Sequence, residues 1–337
     1  MLKEAITQVV AGGDLSRQEA IEVMRQIMEG MATDAQIASL ITALRMKGET
    51  VEEITGFTQV MREKAERVTL ETPVLDTCGT GGDGAHTFNI STAAALVAAG
   101  AGATVAKHGN RSVSSKCGSA DCLSALGIDL MAEPPIVEKC LRNAGIGFFF
   151  APLWHKSMKY AIGPRKEIGI RTVFNILGPM TNPAGAEYQL LGVYSEALIN
   201  PLANVLKNLG STQAMVVHGL DGLDEITTTT RTRVSEVKNG QVTDYEIDPG
   251  DFGFPLAQKQ DLAGGTAEEN AQLVLDILGG KKGPARNIVL LNAGAAIYTY
   301  GKAKDLAEGI QMAAQSIDTG AALGKLDLLR KCIQGTI

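Results

Sequence analysis

The chain has 337 residues, 45% of them hydrophobic and 20% charged, a balance that excludes wholesale disorder. Its net charge is −6 and its basic residues are scattered, and 8 Phe, 6 Tyr and 1 Trp offer few stacking platforms. A general nucleic-acid binder needs a basic patch or such platforms, so that class is set aside. Five cysteines form no CxxC pair and four histidines show no short metal spacing, which argues against a disulfide scaffold or a structural zinc site. A reducing, cytoplasmic setting fits better. The start, MLKEAITQVV, lacks an apolar run, so no signal peptide is expected. The longest uncharged stretch, 84–106, is broken by Gly100 and Gly102 and falls short of the ~20 apolar residues a spanning helix needs. It reads as a buried helix followed by a strand, with no membrane segment.

Four short helices are expected first. Ser16 caps one of them with Glu19 as its capping-box partner, and Ile21, Met24, Ile27 and Met28 line one face at helical spacing. Thr33 or Asp34 opens the next, with Ile37, Leu40, Ile41 and Leu44 on one side; another follows Gly48. These make a small helical domain over 1–70 whose apolar faces need a partner or the rest of the chain. From Pro73 onward the runs PVLD, ATVAKHG, GFFFAP, YQLLGVY, AMVVHG and IVLLNAG alternate with glycine-rich turns and helical patterns. That rhythm predicts a larger α/β domain over 71–337 with a mainly parallel sheet. Ligands in such sheets bind beyond the carboxyl ends of the strands.

Three loops at those ends carry the chemistry. The first runs Asp76-Thr-Cys-Gly79-Thr-Gly81-Gly82-Asp83-Gly84 into a helix opened by Asn89, Ile90, Ser91 and Thr92. Exposed N–H groups and the positive end of a helix dipole favour phosphate there. Its GxGxxG alone is weak evidence for a dinucleotide site, and the acid a Rossmann fold wants some twenty residues on is replaced by Lys107-His108. A P-loop GK[ST] is missing as well. The second loop, Lys107-His108-Gly109-Asn110-Arg111-Ser112-Val113-Ser114-Ser115-Lys116, offers cations, an amide and hydroxyls that can wrap a phosphate or pyrophosphate. His108 alone is a weak candidate for a base, since lone histidines are commonly structural. Cys117 and Cys122 read as small packing residues. The third loop, Gly219-Leu-Asp221-Gly-Leu-Asp224-Glu225, is acidic; opposite two basic cradles it suggests a hard cation such as Mg²⁺.

These motifs, with Gly163-Pro-Arg165-Lys-Glu-Ile-Gly169-Ile-Arg171-Thr, Asn175-Ile-Leu-Gly178-Pro179 and LNAGAAIY near 291, resemble those of the anthranilate phosphoribosyltransferase family over essentially the whole chain. Ser112 stands where alanine is expected, Cys117 where serine is more usual and Cys122 where valine is. The resemblance implies a nucleoside phosphorylase/phosphoribosyltransferase-like α/β fold. Its small helical domain would be completed by a middle segment near 165–190 and would meet its copy in a homodimer. It implies transfer of a phosphoribosyl group from phosphoribosyl pyrophosphate to anthranilate, in tryptophan biosynthesis. Phosphoribosyl pyrophosphate would meet Gly79, Gly82, Asp83, Thr87, Asn89, Ile90, Ser91, Thr92, Lys107, His108, Gly109, Asn110, Arg111, Ser112, Val113, Ser114, Ser115 and Ser119. Anthranilate would meet Gly79, Asn110 and Arg165, and two Mg²⁺ ions per subunit would be held through Ser91, Asp224 and Glu225.

An aromatic amine is neutral at pH 7, so no general acid or base is assigned. The demand is to expel pyrophosphate as positive charge grows on the sugar carbon, which fixed charge can assist. Arg165 would grip the substrate carboxylate, against the alternative of a structural ion pair with Glu167. A pyrimidine nucleoside phosphorylase is the competing enzyme; it would use inorganic phosphate and need no aspartate–glutamate metal pair.

Overall fold

The computed structural model describes residues 1–68, 70–111 and 117–336. Four helices open the chain: α1 (Leu2–Val10), α2 (Arg17–Met28), α3 (Asp34–Lys47) and α4 (Val51–Lys64). Ser16, Thr33 and Thr50 cap the last three, each closing a capping box with Glu19, Gln36 and Glu53. Each such cap is worth about 1 kcal/mol. Glu53 is fully buried, accepts the Leu15 N–H at 2.9 Å and pairs with Lys47 at 3.0 Å, so one cap also ties the helices together.

Next come β1 (Leu75–Gly79), α5 (Ile90–Gly100), β2 (Val105–Gly109), α6 (Ser119–Ala125), α7 (Pro134–Ala144) and β3 (Ile146–Phe150). A middle segment of α8 (Ala151–Trp154), α9 (Lys159–Ile168) and α10 (Phe174–Leu177) leads to β4 (Tyr188–Gly192), α11 (Ile199–Asn208) and β5 (Gln213–Gly219). Then follow β6 (Thr232–Lys238), β7 (Gln241–Ile247), α12 (Ala267–Leu278), α13 (Pro284–Thr299), α14 (Leu306–Asp318) and α15 (Ala321–Ile333). The sheet order is β3-β2-β1-β4-β5-β6-β7, with the first five strands parallel and the last two antiparallel.

Five of the six apolar runs are strands. IVLLNAG is not: it lies in α13, buried on nearly every side. Pro284 opens that helix and AGAAIY extends it, and a short apolar run cannot by itself distinguish a buried strand from a buried helix. The β6–β7 hairpin adds two strands beyond those expected. Its turn is Asn239-Gly240, both with positive φ (53° and 72°), the chemistry a two-residue hairpin turn demands.

The sheet is covered on both faces. One face packs α5, α13, α14 and α15 in a cluster that includes Leu75, Val105, Met215 and Leu291. The other packs α11 and the N-terminal helices, with Leu191 and Val216 beneath Ile37, Leu44 and Phe57. Ala161, Phe174, Leu177 and Met180 of the middle segment share that second cluster. Because β1, β2, β4 and β5 run parallel, their carboxyl ends share one edge of the sheet.

Candidate active site

The glycine loop and the acidic loop close on each other. Gly79 ends β1 opposite Gly192 of β4, and the Thr80 N–H continues the ladder to the Gly192 carbonyl at 2.9 Å. The Gly81 N–H donates to Asp224 Oδ2 at 2.7 Å. A Cβ on Gly79 would stand 2.4 Å from that same oxygen, and one on Gly192 would stand 1.6 Å from the Asp224 carbonyl oxygen. Both glycines therefore make room for Asp224. A side chain at residue 79 would collide with the Asp224 carboxylate, so only glycine allows the two loops to lie this close.

The start of α5 differs from the expected bare anion cradle. The Ser91 N–H donates to Glu225 Oε1 at 3.1 Å, so the acidic loop docks on the first turn of the helix. The Ile90 N–H bonds the Phe88 carbonyl at 2.8 Å and the Thr92 N–H the Asn89 carbonyl at 3.2 Å. The Ile90 side chain is in the core, and the buried Thr92 hydroxyl has no partner among the described residues. Asn89 is a strut: its Nδ2 donates to the Cys117 carbonyl at 3.3 Å and its Oδ1 accepts from Asn270 at 3.0 Å. Thr87 is half-buried and forms an isolated bridge with Ala263.

On β2 the pleat sends successive side chains to opposite faces. Lys107, 3% exposed, turns inward and donates to the Thr77 carbonyl at 2.6 Å and Ser91 Oγ at 3.2 Å. It braces β1 against α5 instead of standing free in solvent, and burial lowers its pKa. His108 goes the other way, its ring centroid 5.1 Å from that of His155, with Nε2 of both rings buried and without a partner among the described residues. Burial lowers the two imidazoles to about 3 and about 4, so both are neutral at pH 7. Lys107 and His108, assigned to one ligand from sequence, thus face different surroundings.

Asn110 and Arg111 are exposed; Arg111 pairs with Asp121 at 2.8 Å, at the first turn of α6. Gly109 is half-buried at the end of β2, and a Cβ on it would stand 2.4 Å from Ser119 Oγ, so this glycine brings α6 close. Ser112, Val113, Ser114 and Ser115 lie outside the described residues. Arg165, on α9, packs over the Phe174 ring at 5.1 Å. Among the described residues it makes no ion pair, so the alternative of a bridge to Glu167 is not realised. Burial lowers its pKa without threatening its charge.

Two further motif residues carry roles that the sequence does not reveal. Arg171 stacks over Tyr194 at 4.5 Å and donates to the Gly82 carbonyl, tying the middle segment to the glycine loop. Asp76, fully buried, accepts from the His108 N–H at 3.1 Å and from Asn182 at 2.8 Å. Burial raises its carboxyl to about 6. The strand position of Asp76 is the available signal, since an acid inside an apolar run needs a partner. Asp221, in contrast, is a turn-former, bonded to the Leu223 N–H and the Thr227 and Thr229 hydroxyls.

Asp224 and Glu225 are half-buried beside Asp83. Burial and the neighbouring carboxylates raise Asp224 to about 7 and Glu225 to about 8. Crowded acids of this kind, opposed by Lys107 among the described residues, form a site whose charge a hard cation would balance. Among the described residues no three of His, Cys, Asp or Glu converge as a ready cage. Two carboxylates and the Ser91 hydroxyl suit Mg²⁺, which leaves most of its shell to phosphate oxygens and water.

The helical bundle domain of a glycosyl transferase family matches residues 3–65 and its a/b domain matches residues 71–323. The chain is 58% identical to the anthranilate phosphoribosyltransferase of Acetivibrio thermocellus over 328 residues, 97% of this chain and 95% of that one. It is 57% identical to that of Alkaliphilus metalliredigens over 335 residues, 99% of both. Among solved structures it resembles the enzyme of Thermus thermophilus with a TM-score of 0.93 at 42% identity, over 98% of this chain and 99% of that one. The Saccharomyces cerevisiae enzyme in complex with PRPP and Mg gives 0.90 at 27% identity, over 99% and 98%. The chain belongs to the anthranilate phosphoribosyltransferase family.

Proposed function

We propose that this protein transfers the 5-phosphoribosyl group of phosphoribosyl pyrophosphate to the amine of anthranilate and releases pyrophosphate, as a step of tryptophan biosynthesis. The observation that supports this most strongly is the closure of the glycine loop on the acidic loop through Gly81 and Asp224 at the carboxyl end of the sheet. Asp224, Glu225 and Ser91 would hold Mg²⁺, two ions per subunit. When bound, the metal supplies charge that neutralises the departing pyrophosphate.

The remaining work falls to the chain itself. Gly82, Asp83, Thr87 and the backbone of 89–92 would flank the phosphoribosyl pyrophosphate, together with Gly109, Asn110, Arg111, the loop through 115, and Ser119. Lys107 fixes Ser91 from beneath the site. Gly79, Asn110 and Arg165 would meet anthranilate, Arg165 presenting a planar fork to its carboxylate. No proton need leave the amine before attack, so orientation and fixed charge carry the rate.

The helical unit over 1–70, completed by the middle segment near 165–190, would form the small domain and the homodimer contact. Large apolar side chains in solvent support this: Met31, Met46 and Ile170 within it, and Tyr160 and Ile162 on α9, which leads into the middle segment. Protein mixed with Mg²⁺, phosphoribosyl pyrophosphate and anthranilate should quench anthranilate fluorescence. Phosphorolysis of thymidine in the parallel reaction, with no loss of anthranilate, would overturn the assignment in favour of a nucleoside phosphorylase.

A further inference from the structure

LNAGAAIY is a motif that the reaction leaves unexplained. Its glycine is accounted for by packing: a Cβ on Gly294 would stand 2.7 Å from the Ile310 nitrogen, so it serves the α13–α14 crossing. Its asparagine is a different matter. Asn292 is fully buried in α13, and its amide engages one residue of another loop twice. The Oδ1 accepts the Ile226 N–H at 2.9 Å, and Nδ2 donates to the Ile226 carbonyl at 2.7 Å and to the Ile288 carbonyl at 2.9 Å. The partners fix which way the amide faces, because a flipped amide would set NH₂ against N–H and oxygen against two carbonyls.

We infer that Asn292 is a positioning residue for the metal-holding loop, clamping the peptide that follows Glu225 so that both carboxylates face the cleft. Ile226 lies between the end of β5 and the start of β6, where no ladder partner is at hand. Among the described residues, no backbone–backbone hydrogen bond engages its N–H or its carbonyl. One side chain therefore satisfies both, as a neighbouring strand would. The Ile226 N–H belongs to the same planar peptide as the Glu225 carbonyl, so fixing it limits rotation between the Glu225 side chain and the loop beyond. The Ile226 side chain is anchored in the same cluster as Ile288 and Leu291, so α13 holds this residue by backbone and side chain alike. From there Glu225 reaches the Ser91 N–H and Asp224 reaches the Gly81 N–H, on the facing wall.

The inference rests on the reading of Asp224 and Glu225 as metal-holding groups, and its test separates the two. Mn²⁺ binding in the presence of phosphoribosyl pyrophosphate is followed by the paramagnetic resonance signal of free Mn²⁺, for the native protein, Asn292→Ala and Asn292→Asp. Circular dichroism reports whether each is folded. Asn292→Asp keeps the volume and an acceptor for the Ile226 N–H but sets an oxygen against the two carbonyls, so it supplies the measurement if the alanine variant does not fold. Folded variants should bind Mn²⁺ about 10- to 100-fold more weakly, the range seen when a partner of a metal ligand is removed. Their KM for anthranilate at saturating Mg²⁺ should stay within about twofold, with the loss appearing in kcat. A melting temperature that drops while Mn²⁺ affinity holds would overturn the inference and leave Asn292 a core strut. Failure of both variants to fold would overturn it in the same way, since Asn292 would then serve the core as a whole. Failure of the native protein to bind Mn²⁺ would instead defeat the functional reading beneath it.

Discussion

Gly79 shows how far a single residue can be understood before the fold is known. Its place at a strand's end, among other glycines, marks a loop that something must approach closely. The occupant is not legible there, because Asp224 lies far along the chain and meets Gly79 only once β1, β4 and β5 are assembled. Gly79→Ala should therefore act on the acidic loop: turnover falls by orders of magnitude and the Mg²⁺ concentration for half-activity rises, along with both substrates' KM values. An unchanged Mg²⁺ requirement would refute this route. The pair Asp224→Asn with Glu225→Gln should also abolish most turnover, yet stabilise the fold in EDTA at pH 8–9. The sign follows from burial: both folded pKa values are raised, so the stability present below the unfolded pKa is lost as pH rises through about 7 and about 8. The amides do not incur that loss. Melting curves should show the variant above the native protein at pH 8.5 and the gap closing toward pH 4; a lower melting temperature at pH 8.5 would contradict the charge crowding.

At the scale of elements, helices with polar caps and strands with glycine at their ends are legible, since Ser16 or Gly79 carries its own local signal. Elements defined by context are not. IVLLNAG has the composition of a strand, and only Pro284 and the alanines beyond it mark a helix. The hairpin signal Asn239-Gly240 is present in the sequence, but its strands carry so many charged residues that their weak alternation hides it. The middle segment offers two tests. On α9, Arg165→Ala should raise KM for anthranilate by roughly 10- to 150-fold, the cost of a charge-assisted pair, and leave that for phosphoribosyl pyrophosphate nearly unchanged. The reverse pattern would exchange the two subsites. Beyond α8, His155 is buried and neutral, its pKa lowered to about 4 against about 6.5 unfolded. Stability that is full above about pH 6.5 is then lost as pH falls toward 4, at up to about 1.4 kcal/mol per pH unit for this one group. Urea unfolding of the native protein and His155→Gln at pH 7.5, 6 and 5 should show the native protein's margin shrinking with acid. Parallel curves would mean that His155 charges freely in the fold.

For the whole molecule, the sheet joins chemistry from distant parts of the chain: a glycine loop after β1, a lysine inside β2, an acidic loop after β5 and a clamp from α13. The helical layer on the opposite face carries apolar side chains into solvent, so sedimentation should give the mass of two chains, and Met46→Lys with Ile162→Lys should shift it toward one. A species of one chain in the native protein would remove the dimer from the account. In the proposed reaction Asp224, Glu225 and Ser91 would hold the metal against the pyrophosphate, beside the loop through Gly79 and Gly82. Crystals grown with Mn²⁺ and phosphoribosyl pyrophosphate test this through the anomalous signal of the metal. The expected result is density within about 2.0–2.3 Å of carboxylate oxygens of Asp224 and Glu225, shared with phosphate oxygens. Anomalous density elsewhere, with these carboxylates still bonded to Gly81 and Ser91, would contradict it.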